Sequence, residues 1–173
     1  SFSGNVDSKK SFIAKLDAGS GNPVRFANFL GSQAAIYNMT SNNDTLWFWG
    51  AFVDTADVDP GSGTMTLTTN SGDQDAFIAS IDTSFQFISS AQIGDGNNSD
   101  DQVEQIQLNS RGELVAAGYY SSSNSDFDPG SGALNASAHY GNEDAFVVSY
   151  TLGAAPPSCP VGDATGITGP TAL

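Results

Sequence analysis

The sequence is short of several residue types, and each shortage removes a class of chemistry. A single cysteine, Cys159, cannot build an internal disulfide framework, and a single histidine, His139, cannot supply a two-histidine metal site. Glutamate occurs only at Glu104, Glu113 and Glu143, and no motif singles out a carboxylate pair for glycoside hydrolysis. Five basic residues stand against nineteen acidic ones, a net charge of −14. That balance opposes nucleic acid and anionic membrane surfaces, both of which need a basic face. No apolar run approaches the roughly 18 residues of a transmembrane helix, so no membrane insertion is expected. The chain starts without Met and without a basic-plus-apolar leader, which predicts a processed product or an excised piece of a longer protein.

What is present is the composition of strands and turns. Hydrophobic residues make up 39% and aromatics 10%, enough for a packed core. Only 14% of residues are charged, so polarity comes mainly from Ser, Thr, Asn, Asp and Gly, as in proteins that work outside cells. Almost no window carries a 3.6-residue period, and turn-forming residues interrupt the chain about every dozen positions, which predicts an all-β fold.

One motif occurs twice: Asp57-Val58-Asp59-Pro60-Gly61-Ser62-Gly63 and Asp126-Phe127-Asp128-Pro129-Gly130-Ser131-Gly132. Each copy is followed, 18 residues after its first Asp, by Asp75-Ala76-Phe77 or Asp144-Ala145-Phe146. The period is 69 residues, and a fixed period of this kind marks a repeat protein. Strands aligned on it are 12–17, 77–82 and 146–151 as a first type, then 24–30 and 86–93, then 34–40 and 103–109, then 46–53 and 114–120. Asn42 to Asp44 and Asn109 to Gly112 supply tight turns between the third and fourth types.

The fourth type is apolar on both faces, as in Leu46-Trp47-Phe48-Trp49-Gly50-Ala51-Phe52-Val53. Such a strand belongs in a sheet covered on both sides. Without helices to do the covering, the pattern predicts a β-propeller fragment of four-stranded antiparallel blades. Residues 1–151 are the repeats, a partial blade followed by a full blade at 34–93 and a partial blade at 103–151, about two and a quarter blades where a ring takes roughly four to eight. The remaining blades of the same parent protein are therefore expected partners, with association of chains as the other way to complete a ring. Residues 152–173 form a Pro/Gly-rich linker.

Gly118, Asp126 to Gly130 and Gly141 to Val147 resemble the β-propeller repeat of large secreted Bacteroidota surface proteins, in which a strand-end Gly, an Asp-Phe-Asp-Pro-Gly loop and a Gly-x-x-Asp-Ala-Phe-Val strand start recur in order. The earlier copy runs Gly50, Asp57 to Gly61 and Gly72 to Ile78, with Val58 in place of the Phe. The tail Ile167 to Thr171 resembles the opening strand of the immunoglobulin/PKD-like modules that follow such propellers. This resemblance implies export by type 9 secretion, a secreted or cell-surface location, and a role in adhesion or gliding motility without enzymatic activity.

The repeated loops are also the candidate metal sites. Asp57 and Asp59, with Asp54, and Asp126 and Asp128 place carboxylates two residues apart before a glycine turn, with Asp75 or Asp144 arriving 18 residues on. Calcium takes six to eight oxygens, and acidic loops bending at Gly are one way chains supply them. The same residues equally make an Asp-capped turn, in which the carboxylates accept loop N–H groups, Pro presets φ and Gly takes the positive φ. A second acidic loop, Gly94 to Asp101, reads as a solvated connection. Trp47, Trp49, Tyr119 and Tyr120 read as core rather than as a sugar-stacking platform, and His139 and the Asn-x-Ser/Thr sites as surface features.

Together these features predict a non-enzymatic binding or spacer module of an adhesin-like protein, facing an unidentified glycan or protein ligand. The alternatives are a polysaccharide-binding or polysaccharide-degrading propeller, and a structural subunit that completes its ring by oligomerisation.

Overall fold

The structure is a computed structural model that describes residues 11–42, 44–69, 74–94, 101–121, 124–128, 132–136, 143–152 and 167–170. His139, Tyr140, Cys159, most of the Gly94–Asp101 loop, Pro129 to Ser131 and the bulk of the linker lie outside them. The described residues are all-β with antiparallel pairing and contain no helix.

A hairpin of β1 (Phe12–Leu16) and β2 (Pro23–Asn28) comes first. The central sheet follows, with β3 (Leu30–Asn42), β4 (Thr45–Asp57), β6 (Gln74–Asp82) and β7 (Phe87–Ile93) side by side in that order. These are the four strands expected of residues 34–93, in the expected succession. β5 (Thr66–Thr68) pairs with the far end of β4. The third layer places β8 (Gln102–Leu108), β9 (Leu114–Tyr120) and β12 (Asp144–Leu152) in the positions of β3, β4 and β6. Its fourth position is taken by β13 (Ile167–Pro170), part of the tail set apart above as linker, which pairs with β12 at Tyr150, Thr151 and Leu152. The two-residue strands β10 (Ser125–Asp126) and β11 (Asn135–Ala136) form a separate hairpin.

Strand alternation explains the layering. On β4, Phe48 and Phe52 point to one face and Trp47 and Trp49 to the other; on β6, Phe77, Ala79 and Ile81 oppose Ala76 and Ile78. The first set packs with Ile13, Ala27 and Phe29 of the hairpin side. The second set packs with Leu114, Ala116, Tyr120, Phe146 and Tyr150 of the third layer. The central sheet is thus covered on both faces, as its doubly apolar strands require. Backbone hydrogen bonds tie the second and third layers as well, from Asp101 N to Gln74 O at 3.0 Å and from Gly94 N to Asp126 O at 3.4 Å.

Gly50 and Gly118 hold the same place in β4 and β9, each opposite a register shift in the neighbouring strand. A Cβ at either would collide with a carbonyl oxygen, that of Ala35 or Gln102. The strands approach too closely there for any side chain.

Two boundaries differ from the expectation. The break between the second and third strands falls at Phe29 rather than Gly31, because the buried Phe29 ring turns into the core, 5.0 Å from Phe48. β4 runs on to Asp57 by changing partners at Asp54, whose φ of 63° bends the strand away from β6 and onto β5. The long connection carrying the motif is therefore a hairpin rather than an open loop.

Equivalent positions in successive layers should differ sharply in energetic weight. Ile78 is fully buried, whereas its counterpart Val147 is 66% exposed. Ile78→Ala should cost roughly 2–5 kcal/mol, and Val147→Ala under about 1 kcal/mol, read as shifts of the urea unfolding midpoint.

Candidate functional site: the paired aspartate hairpins

Both copies of the motif adopt one geometry where they are described. Asp57 Oδ1 accepts from Asp59 N at 3.1 Å and from Met65 N at 2.9 Å. Asp126 Oδ1 accepts from Asp128 N and Leu134 N, both at 2.9 Å. The residue between the aspartates donates its N–H across the hairpin, Val58 to Met65 O at 2.9 Å and Phe127 to Leu134 O at 3.1 Å. Its side chain is buried in both copies. Phe127 packs edge-on to Tyr120 at 5.3 Å and against Phe146 at 4.8 Å.

The second aspartate shapes the tip. Asp59 Oδ1 accepts from Gly61 N at 2.6 Å, closing a turn over the buried Pro60. A Cβ on Gly63 would strike the Asp59 carboxylate, and one on Gly132 the Asp128 carboxylate, so each final glycine makes room for the second Asp. These are the contacts of a capped turn. Among the described residues no group of three or more His, Cys, Asp or Glu side chains comes together, whereas calcium takes six to eight oxygens.

The other acidic candidates lie elsewhere. Asp54 accepts the Thr69 N–H with its backbone carbonyl at 2.8 Å and donates its own N–H to Thr69 Oγ1 at 3.0 Å. Asp75 is fully buried; its Oδ2 accepts from Gln92 Nε2 at 2.6 Å, and its carboxylate fills the space beside Gly94. Asp144 is half-buried and sits opposite Tyr120 in the β9–β12 register. Trp47, Trp49 and Tyr120 are core residues, while Tyr119 donates its hydroxyl to Gln102 Oε1 at 3.0 Å.

Sequence reasoning missed one buried polar site. Asp101, read as the end of a solvated loop, is fully buried; both its oxygens accept from Ser125 Oγ at 3.1 Å, and Oδ1 also accepts from Ser121 N. Ser125 immediately precedes the motif, and the first copy has Ala56 there. That polar-for-apolar difference between otherwise matched copies was the available signal.

Tyr150 links the third layer to the second hairpin, donating its buried hydroxyl to Phe127 O at 3.1 Å. Burial, reinforced by the charges of Asp128 and Asp126, holds its pKa above the ordinary value of 10. A raised folded-state pKa means that the neutral hydroxyl stabilises the fold fully below about pH 10 and that this contribution is lost as pH rises beyond it. Tyr150→Phe should cost about 1 kcal/mol at pH 7 and flatten the alkaline limb of the stability profile, measured by urea unfolding from pH 7 upward.

The capped-turn geometry predicts a ranking at the first aspartate. Asp57→Ala leaves two loop N–H groups without their acceptor and should cost roughly 1–3 kcal/mol. Asp57→Asn keeps Oδ1 as an acceptor and should cost clearly less, with the same order in calcium and in chelator, read by thermal unfolding. A calcium-dependent order would show that the carboxylates hold the ion. In comparisons with protein-family models, curated proteins and solved structures, nothing matches the chain.

Proposed function

We propose that this chain is a non-enzymatic repeat module of a secreted or cell-surface protein, a β-propeller fragment that acts as a binding or spacer element of an adhesin-like assembly. The observation that carries this is the repeated hairpin: its first aspartate makes the same two hydrogen bonds in both copies and its central residue is buried in both, the marks of a building element. The acidic strand-and-turn composition supports an extracellular setting, and the net charge of −14 disfavours nucleic acid as a ligand. Neighbouring modules are further repeats of the same kind, packed face to face as the layers within the chain are.

A panel of polysaccharides and of chromogenic ester and glycoside substrates tests this. A module of the proposed kind retains some ligands on an affinity column and turns over none. Product release that follows the chain through successive purification steps would sink the non-enzymatic role.

A further inference from the structure

The second and third layers are completed differently at one sheet edge. In the second layer β7 covers the outer edge of β6 from Ala76 to Ile81. By the 69-residue repeat, the same stretch of β12 runs from Ala145 to Tyr150. β9 pairs the inner edge of β12 from Asp144 to Tyr150. Among the described residues the outer edge is paired only at Tyr150, Thr151 and Leu152, where β13 lies against it. Ala145 to Ser149 therefore present a row of main-chain groups on that side, the template on which another strand can pair.

A side chain at one end of this stretch carries the same mark. Ser80 and Ser89 are buried opposite each other on β6 and β7, their hydroxyls 2.9 Å apart. Ser149 is the counterpart of Ser80, and among the described residues its enclosed Oγ has no hydrogen-bond partner. An enclosed hydroxyl without a partner is costly, and a strand bringing an acceptor or donor opposite Ser149 removes that cost. On the same face of β12, Val147 and Ala145 are exposed. Their counterparts Ile78 and Ala76 are fully buried, with Ala91 and Ile93 of β7 as cross-strand neighbours in one apolar cluster.

The repeat also specifies what fits. β7 runs antiparallel to β6, and β13 meets β12 antiparallel as well, so a strand carried further along this edge takes the same direction. Its residues should follow the pattern of Ser89, Ala91 and Ile93, a hydroxyl opposite Ser149 and apolar side chains opposite Val147 and Ala145. Between them, Gln92 donates its Nε2 to Asp75 Oδ2 at 2.6 Å, and Asp144 stands in the place of Asp75. A second copy of this chain is a poor occupant. Its own β7 is engaged with β6, and two chains of net charge −14 repel each other.

We propose that the β12 edge from Ala145 to Ser149 binds an extended segment of another polypeptide by strand addition. The segment lies antiparallel to β12, with Ser or Thr opposite Ser149 and apolar residues two and four positions on. Main-chain hydrogen bonds supply the affinity, and the alternate side chains select the sequence. This goes beyond the repeat-module reading and holds whether or not the module is non-enzymatic.

The probe is a synthetic peptide of the sequence Ser89–Gly94 with a C-terminal fluorophore, followed by anisotropy against the full chain. Binding should saturate. Methylating one alternate set of peptide nitrogens should abolish it, and methylating the other set should leave it unchanged, because only one set faces β12. Ser149→Ala should keep the far-ultraviolet circular dichroism of the wild type and weaken the peptide roughly fivefold, the equivalent of one net hydrogen bond. Alanine at the first serine of the peptide should do the same, and both changes together should weaken it no further. No saturation, equal loss from both methylated sets, or additive losses from the two alanines would each overturn the strand addition. Binding that appears only after residues 167–173 are deleted would assign the edge to the chain's own tail. Dimers in sedimentation velocity that the peptide dissociates would assign it to a second copy, and either result overturns the proposal. None of these outcomes bears on the non-enzymatic role, which the turnover panel tests separately.

Discussion

β4 carries Trp47 and Trp49 on one face and Phe48 and Phe52 on the other, and a strand with that pattern has to be covered twice. Burying one such side chain is worth roughly 1.5–3 kcal/mol, and β6 repeats the demand through Phe77 and Ile78. A lone sheet would leave half of this surface in water. The hairpin β1–β2 on one side and the sheet of β8, β9, β12 and β13 on the other are the response, and most of the remaining architecture follows. Gly50 and Gly118 let the strands of each sheet close up beside a register shift. The Asp101 and Asp126 contacts then fasten the third layer to the edge of the second.

The acidity of the chain has a related origin. Asp17, Asp57, Asp59, Asp82 and Asp126 each accept a backbone N–H two residues on, the contact that closes a tight turn. Asn109 does the same for Arg111 in the β8–β9 turn. A stack of short strands needs many such turns, and aspartate supplies the acceptor without requiring a basic partner. Among the described residues the ion pair of Arg111 with Glu113, at 3.2 Å, lies within one of these turns rather than between layers. The stack is held by apolar faces and turn geometry, so the charge of −14 is compatible with it.

This division explains what could be read from the sequence. The strands near 12–17, 46–53, 77–82, 86–93, 103–109, 114–120 and 146–151 were legible because each carries its burial pattern within a few residues. The order of the central sheet followed from the repeat. β5, β10 and β11 were not legible, since two or three mostly polar residues give no periodicity. The bend at Asp54 is a backbone event at a residue type that tolerates positive φ, and its cause is a change of strand partner. The Asp101–Ser125 contact spans 24 residues, and its one trace in the sequence is a Ser at 125 where the first copy has Ala56. At the motif, residue types were equally suited to binding an ion and to capping a turn, and what the sequence did not give was where the loop N–H groups lie.

The copies of the motif differ at one residue, and that residue faces the core. Val58 lies in the layer contact that also holds Phe48, whereas Phe127 lies in the one that holds Ala116, the counterpart of Phe48. A large residue on the fourth-type strand goes with a small one at the hairpin, and the reverse holds in the next layer. Interiors pack to a nearly constant density and tolerate exchanges that preserve volume, so the two layer contacts are equivalent in form although they differ in residues. The paired aspartates hold the described hairpin backbone and direct the residue between them into the gap between layers. The motif therefore acts as an adjustable wedge: its first aspartate makes the same two hydrogen bonds in both copies, and its central side chain matches the space the neighbouring strands leave.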